Sequence, residues 1–213
     1  GTALAMLLQK NGHEVSLWSY CEEESSALRE RGENKMLPGV PLPESLPLTH
    51  REDVVAGCGL VVFAPPSYAM RQTALRVKPY LMPEAVLVTV AKGVEPESGL
   101  RMSEILAETL PGHPIAALSG PSHAEEVARE MPTGCVAACA DRAVAEWLQG
   151  IFMNPSFRVY SSTDITGVEL CGAAKNIIAL AAGMAEGMGC GDNAKALMMS
   201  RALVELSALI KAA

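Results

Sequence analysis

Residues 60–93 read LVVFAPPSYAMRQTALRVKPYLMPEAVLVTVAKG. A continuous apolar run, Leu60 to Ala64, and a second buried strand, Ala85 to Val90, apolar but for Thr89, flank a stretch whose periodicity is helical from Tyr68 to Tyr80. A strand that is apolar at every position is buried on both faces, the habit of parallel sheets covered by helices on either side. The same alternation continues outward. Toward the start lie a helix from Thr2 to Lys10 stopped by Asn11-Gly12, a short strand from His13 to Trp18, and a charged helix from Cys21 to Arg31. A proline-rich loop, Met36 to Pro47, then leads to a short strand at Leu48-Thr49 and a short helix near Arg51 to Ala56. Toward the end come helices at Leu100 to Leu110, Pro121 to Glu130 and Val144 to Phe152. Strands at Ile115 to Leu118, Gly134 to Ala140 and Arg158 to Tyr160 alternate with them.

This pattern predicts an α/β fold with a doubly wound, Rossmann-type, mainly parallel sheet. After Ser161-Ser162 the pattern is helical only and rich in Ala, Gly and Met. A boundary is therefore expected there, with residues 1–161 forming the sheet domain and 162–213 the start of an all-α domain. The chain opens on Gly rather than Met and runs at once into a helical pattern, and LVELSALIKAA at its end carries no stop signal. It reads as an internal piece of a longer protein, one not expected to be competent alone in a function spread over both ends.

Composition narrows the classes. The chain has 213 residues, 49% of them hydrophobic and 19% charged, with 24 acidic against 17 basic side chains and a net charge of −7. That excludes a disordered chain, and without a basic cluster it argues against a nucleic-acid partner. Six cysteines, at 21, 58, 135, 139, 171 and 190, form no CxxC pair. They read as small buried thiols in a reducing compartment rather than as a disulfide framework, and no metal site is expected. No signal peptide opens the chain, and its longest uncharged stretch, Val54 to Met70, is broken by Gly57, Gly59, Pro65 and Pro66. A cytoplasmic protein without stable membrane insertion is expected.

In open parallel sheets, ligands lie beyond the carboxyl ends of the strands. Gly1 opens a helix that feeds a strand, so it is either the last glycine of a G-x-G-x-x-G loop or an ordinary helix-start glycine. The tip after HEVSLW reads Ser19-Tyr20-Cys21-Glu22. Neither a carboxylate for ribose hydroxyls nor an Arg for a 2′-phosphate stands at the tip, but Tyr20 could pack on an adenosine. Lys92-Gly93 follows a buried strand, where the Lys either holds a phosphate as a point charge or is solvated. In LSGPSHAEEVA, 118–128, Gly120 permits close approach, Pro121 suits the first helical position, and Ser122 with the first-turn amides could cradle an anion. The other reading is a Pro-initiated helix with Ser122 near its cap. His123 has no identified partner. In VELCGAAKNIIALAAGM, Lys175 shares a helical face with Val168, Cys171, Gly172, Ile178, Ala179 and Ala182. It either snorkels to an edge or serves a site where desolvation would lower its pKa. Asn176 could orient it or bind substrate. Asp192, Asn193 and Lys195 read as the capped, solvated start of a further helix.

The motifs GTALA, NGHEV with LW, MLPG, AKGVEPESG, LSGPSHAEEVA, FRVYSSTDITGVEL, GAAKNIIALAAGM, EGMG and GDNAKA occur in this order. Together they closely resemble the bacterial NAD(P)-dependent glycerol-3-phosphate dehydrogenases, over essentially the whole chain. The resemblance implies a dinucleotide-binding domain over 1–161 and a helical substrate domain from 162. It implies reversible reduction of dihydroxyacetone phosphate to sn-glycerol 3-phosphate with NADPH or NADH, in the cytoplasm, for glycerophospholipid synthesis. By motif, Lys175 matches the catalytic Lys, the proton acceptor in the oxidation direction. Lys92 matches a Lys touching both cofactor and substrate, Gly120 and Ser122 match substrate positions, and Ala124 matches a cofactor contact; Lys175 and Asn176 are further expected at the substrate, and Gly1 and Tyr20 at the cofactor. Tyr20 stands where the family often has Arg or His, which leaves the choice of nicotinamide open. Met36 replaces a common aromatic and His123 a common Phe, which argues against a general catalytic role for His123. A homodimer is left open. A β-hydroxyacid dehydrogenase is the nearest alternative, but that class places Asn four residues after its Lys, where this chain has Ala179. A nucleotide-binding module without chemistry would not need both Lys92 and Lys175.

Overall fold

The structure, a computed structural model, describes residues 1–212. The chain runs α1 (Thr2–Lys10), β1 (Leu17–Trp18), α2 (Glu22–Arg31), β2 (Leu48–Thr49), β3 (Leu60–Phe63), α3 (Met70–Val77), β4 (Val86–Thr89), α4 (Met102–Thr109), β5 (Ile115–Ser119), α5 (Ala124–Ala128), β6 (Thr133–Cys139), α6 (Arg142–Phe152), β7 (Phe157–Ser162), α7 (Ile165–Gly187) and α8 (Gly191–Ala212). The strands β3-β4-β5-β6-β7 lie side by side in chain order, parallel except for the antiparallel β5–β6 pair. β1 and β2 form a separate two-stranded parallel sheet.

β1 is shorter than the run from His13 to Trp18 suggests, because strand length is set by the partner. Leu17 donates to the carbonyl of Pro47 and Ser19 to that of Thr49, and Pro47, with no N–H of its own, ends the ladder on that side. The helix expected from Tyr68 to Tyr80 is split: Ser67–Ala69 and Lys78–Tyr80 are 3₁₀ turns around a shorter α3, with Pro79 in the second. The short helix near Arg51 is also 3₁₀, over Glu52–Val55.

Adjacent residues of one strand feed opposite cores, as the pleat requires. Val88 joins Ala116, Leu118, Ala137 and Val159 under α1 and α6, whereas Leu87 joins Phe63, Met70, Ile105 and Leu106 under α3 and α4. Both faces of the sheet are thus covered, as the continuous apolar runs imply. Cys135 and Cys139 belong to this core, but Cys171 and Cys190 are exposed, contrary to the expectation for all six thiols.

Past β7 the chain is helical. Asp164 caps α7 by accepting the N–H of Gly167 at 2.8 Å, and α7 turns into α8 through Gly189 and Gly191, both at positive φ. α7 has 23 residues and an 18-residue window of mean hydropathy 1.4, enough by length and composition to cross a membrane. Glu169 and Lys175 interrupt the apolar run, so no unbroken apolar stretch of that length stands in the sequence. The buried positions of α7, Gly167, Glu169 and Gly172, all lie in its first turns, which pack on the sheet. Beyond them Ile177, Leu180 and Met184 are exposed.

Candidate functional site

The loops after β4 and β5 meet at one carbonyl. Lys92, three residues past β4, is half-buried and its Nζ donates to the carbonyl of Gly120 at 3.1 Å. The same oxygen accepts the N–H of Ser122 at 2.9 Å and its Oγ at 3.3 Å. Gly93 follows Lys92 at φ 124°, a conformation that suits glycine. Burial lowers the pKa of Lys92, the positive charge of Lys175 lowers it further, and Cys135 opposes them.

The expected helix at Pro121 does not begin there. α5 starts at Ala124 behind the N-cap His123 and has five residues, so Pro121 and Ser122 lie in a tight turn held by the Gly120 carbonyl. Ser122 therefore closes a loop instead of opening a helical anion cradle. His123 and Ala124 are exposed at the head of this short helix.

α7 carries Lys175 to the same place. A Cβ built on Gly172 would lie 2.7 Å from Ser119 Oγ and 3.7 Å from Lys92 Cγ, so the helix backbone rests directly on the end of β5. Lys175 is one turn further on, on the same side. Lys175 and Asn176 are both exposed, so the desolvation expected of Lys175 falls instead on Lys92.

At the tip of β1, Tyr20 is exposed, and Ser19 is buried with its hydroxyl donating to Glu24. The guanidinium of Arg76, from the end of α3, lies 4.8 Å from the Tyr20 ring centre and 5.1 Å from that of Trp18. It donates to the Tyr20 carbonyl at 3.1 Å and pairs with Glu52. A cation thus stands at the tip after all, supplied from another element.

Two family models, described as the NAD-dependent glycerol-3-phosphate dehydrogenase N-terminus and C-terminus, match residues 1–145 and 164–213. The chain belongs to the NAD-dependent glycerol-3-phosphate dehydrogenase family. It is 51% identical over 211 residues to the NAD(P)+ glycerol-3-phosphate dehydrogenase of Moorella thermoacetica, covering 98% of this chain and 63% of that one. With the Desulfitobacterium hafniense enzyme of the same name it is 47% identical, over 98% of this chain and 60% of that one. The crystal structure of a glycerol-3-phosphate dehydrogenase from Coxiella burnetii superimposes with a TM-score of 0.89 at 34% identity, covering 99% of this chain and 65% of that one. The chain spans less than two thirds of the length of each of these relatives.

A glycerol-3-phosphate dehydrogenase needs a place for a nicotinamide dinucleotide, and the residues present fit one. The first turn of α1 carries no acidic residue, and its backbone N–H groups point the way a pyrophosphate would need. Gly1 has only Ala64 Cβ at 3.6 Å and Leu17 Cδ1 at 3.9 Å near its missing Cβ, which sets the helix start beside the ends of β3 and β1.

Two buried carboxylates around the Lys92 loop escape a reading by motif. Glu95 is buried in the loop after Lys92 and binds Arg71 at 2.8 and 2.9 Å and Ser98 at 2.6 Å, which hold its carboxyl at about 2. Glu169 is buried against Arg101 and Ser103. A lone acid in the apolar run ITGVELCGAA was the available signal, since a buried carboxylate needs partners. No local signal points to Arg76, which is 56 residues from Tyr20.

Proposed function

We propose that the protein containing this chain reversibly reduces dihydroxyacetone phosphate to sn-glycerol 3-phosphate with NADPH or NADH, in the cytoplasm, to supply glycerophospholipid synthesis. The observation that carries the reading is that α7 rests, at Gly172, on Ser119 and Lys92, which brings Lys175 close enough for its charge to act on Lys92: two cations near the ends of β4 and β5 suit a small phosphorylated ketone. The family match supports it over the β-hydroxyacid alternative.

In this reading residues 1–161 hold the dinucleotide and 162–213 begin the substrate domain. Gly1, Tyr20, Lys92 and Ala124 line the cofactor, and Lys92, Gly120, Ser122, Lys175 and Asn176 the substrate. The bound reduced nicotinamide supplies the hydride to the ketone carbon. The Lys175 ammonium stabilises the negative charge developing on the carbonyl oxygen and gives it the proton that completes the alcohol. In the oxidation direction the neutral amine takes that proton back. Lys92, anchored on the Gly120 carbonyl, holds substrate beside the cofactor and limits the orientations from which transfer starts. The test is turnover by the full-length protein, with dihydroxyacetone phosphate and each reduced nicotinamide, followed by identification of the product. Formation of sn-glycerol 3-phosphate is expected; no turnover with either nicotinamide would refute the reading.

A further inference from the structure

We propose that Glu169, with Arg101 and Ser103, is the positioning device that registers α7 on the Lys92 loop and so sets how Lys175 enters the substrate cleft. The inference rests on the functional reading above.

Glu169 is 7% exposed and accepts from Arg101 Nη1 at 2.6 Å, from the Ser103 N–H at 2.8 Å and from the Ser103 hydroxyl. Arg101 is the N-cap of α4 and is itself fixed by Glu104, which its guanidinium and its own N–H both reach at 2.8 Å. The backbone of Arg101 forms an antiparallel bridge with Val94, and Glu95 donates to the Leu100 carbonyl at 2.9 Å. These bonds close the base of the loop that starts at Lys92. Glu169 therefore grips that base from α7 at Arg101, whose bridge partner Val94 is two residues after Lys92. Further along the helix comes the bare contact of Gly172 with Ser119, and Lys175 lies about 9 Å beyond Glu169 at 1.5 Å per residue.

The two lysines repel each other, so their approach has to be imposed by the fold. A buried ion pair adds little net stability compared with apolar packing. It does impose direction: three bonds to one carboxylate allow one rotation and one height of α7, whereas an apolar contact at 169 would let the helix slide. A displacement of about 1 Å is enough to cost on the order of a hundredfold in rate.

The test uses the full-length protein with Glu169→Gln, which keeps the shape and removes the charge, and Ser103→Ala, which leaves the ion pair in place. Four quantities are compared with wild type well below the melting temperature: kcat, KM for dihydroxyacetone phosphate, nicotinamide affinity, and the titration of Lys92 followed by NMR of ¹³C-methylated lysines. Glu169→Gln is expected to lower kcat about 10–100-fold, up to the cost of a displacement of about 1 Å of a reacting group. Nicotinamide affinity should stay within about twofold, because the contacts assigned to the cofactor lie on the sheet domain. Lys92 should titrate at higher pH as Lys175 withdraws. Ser103→Ala should move kcat and the titration in the same direction by less, and it carries the test should Glu169→Gln not fold. An unchanged kcat, or a fall in kcat with Lys92 titrating as in wild type, would overturn the proposal. A wild-type protein that reduces no dihydroxyacetone phosphate would defeat the functional reading alone, since the Lys92 titration still decides whether Glu169 sets the lysine pair.

Discussion

Gly120 lies so close to Cys135 that a Cβ at position 120 would sit 2.8 Å from the Cα of Cys135 and 2.5 Å from the neighbouring Gly134 carbonyl oxygen. Both atoms are backbone of β6, and β6 is locked between β5 and β7. Gly120→Ala should therefore destabilise the fold by about 1–3 kcal/mol, the range for forcing extra volume into a packed site. It should also displace the carbonyl that anchors Lys92. Thermal melts and substrate KM check this, and an unchanged melting temperature would contradict the close approach.

On the proposed role, replacing Lys175 by Ala in the full-length protein should lower kcat by roughly 10²–10⁴, the span of a positioned acid–base group. Nicotinamide affinity should change little. Lys175→Arg keeps the charge but holds its proton too tightly, so it should be severely impaired as well. Near-normal turnover by the Arg variant would make Lys175 a phosphate clamp.

Lys92 sets an alkaline dependence. Burial and the charge of Lys175 lower its folded pKa below the ordinary 10.5. The folded state thus binds fewer protons than the unfolded chain between the lowered value and 10.5, and stability should rise with pH across that window. On the proposed role of Lys92, substrate affinity should fall in the same window as its charge is lost. Denaturant titrations with Lys92→Met should lack the rise, while substrate binding in that variant is weak at every pH.

Glu95 sets an acid dependence of the opposite kind. Its folded pKa is held at about 2 against an ordinary 4.5 by Arg71 and Ser98, so its contribution is complete above 4.5 and is lost as pH falls toward 2. Glu95→Gln should be less stable than wild type at neutral pH, and the gap should narrow through that acid window. Parallel stability curves for the two proteins would rule out this role.

Neither nicotinamide should be preferred by more than about a hundredfold, or about 2.7 kcal/mol. The guanidinium of Arg76 is near Tyr20, but its donors are occupied by Glu52 and the Tyr20 carbonyl, so no free Arg waits for a 2′-phosphate. The ratio of kcat/KM for NADPH and NADH measures this. A larger ratio favouring NADPH, abolished by Arg76→Ala, would show that Arg76 leaves Glu52 for the phosphate.

Periodicity alone determined the elements and their class. Runs such as LVVF and VLVT are legible because burial on both faces leaves almost no polar position in the strand, Thr89 at the end of β4 being the exception. Motif order likewise pointed to the family, to Lys92, Gly120 and Ser122 on the loops after strands where such folds keep their ligand groups, and to Lys175 on the following helix. Local pattern failed where partners decide. The length of β1 depended on Pro47 across the ladder, and the start of α5 on a turn around the Gly120 carbonyl. Tertiary structure alone brought Arg76 under Tyr20, Arg101 onto Glu169 and Gly172 onto Ser119. These contacts join residues tens of positions apart, and their energies depend on burial and direction, which neighbouring letters in a sequence do not encode.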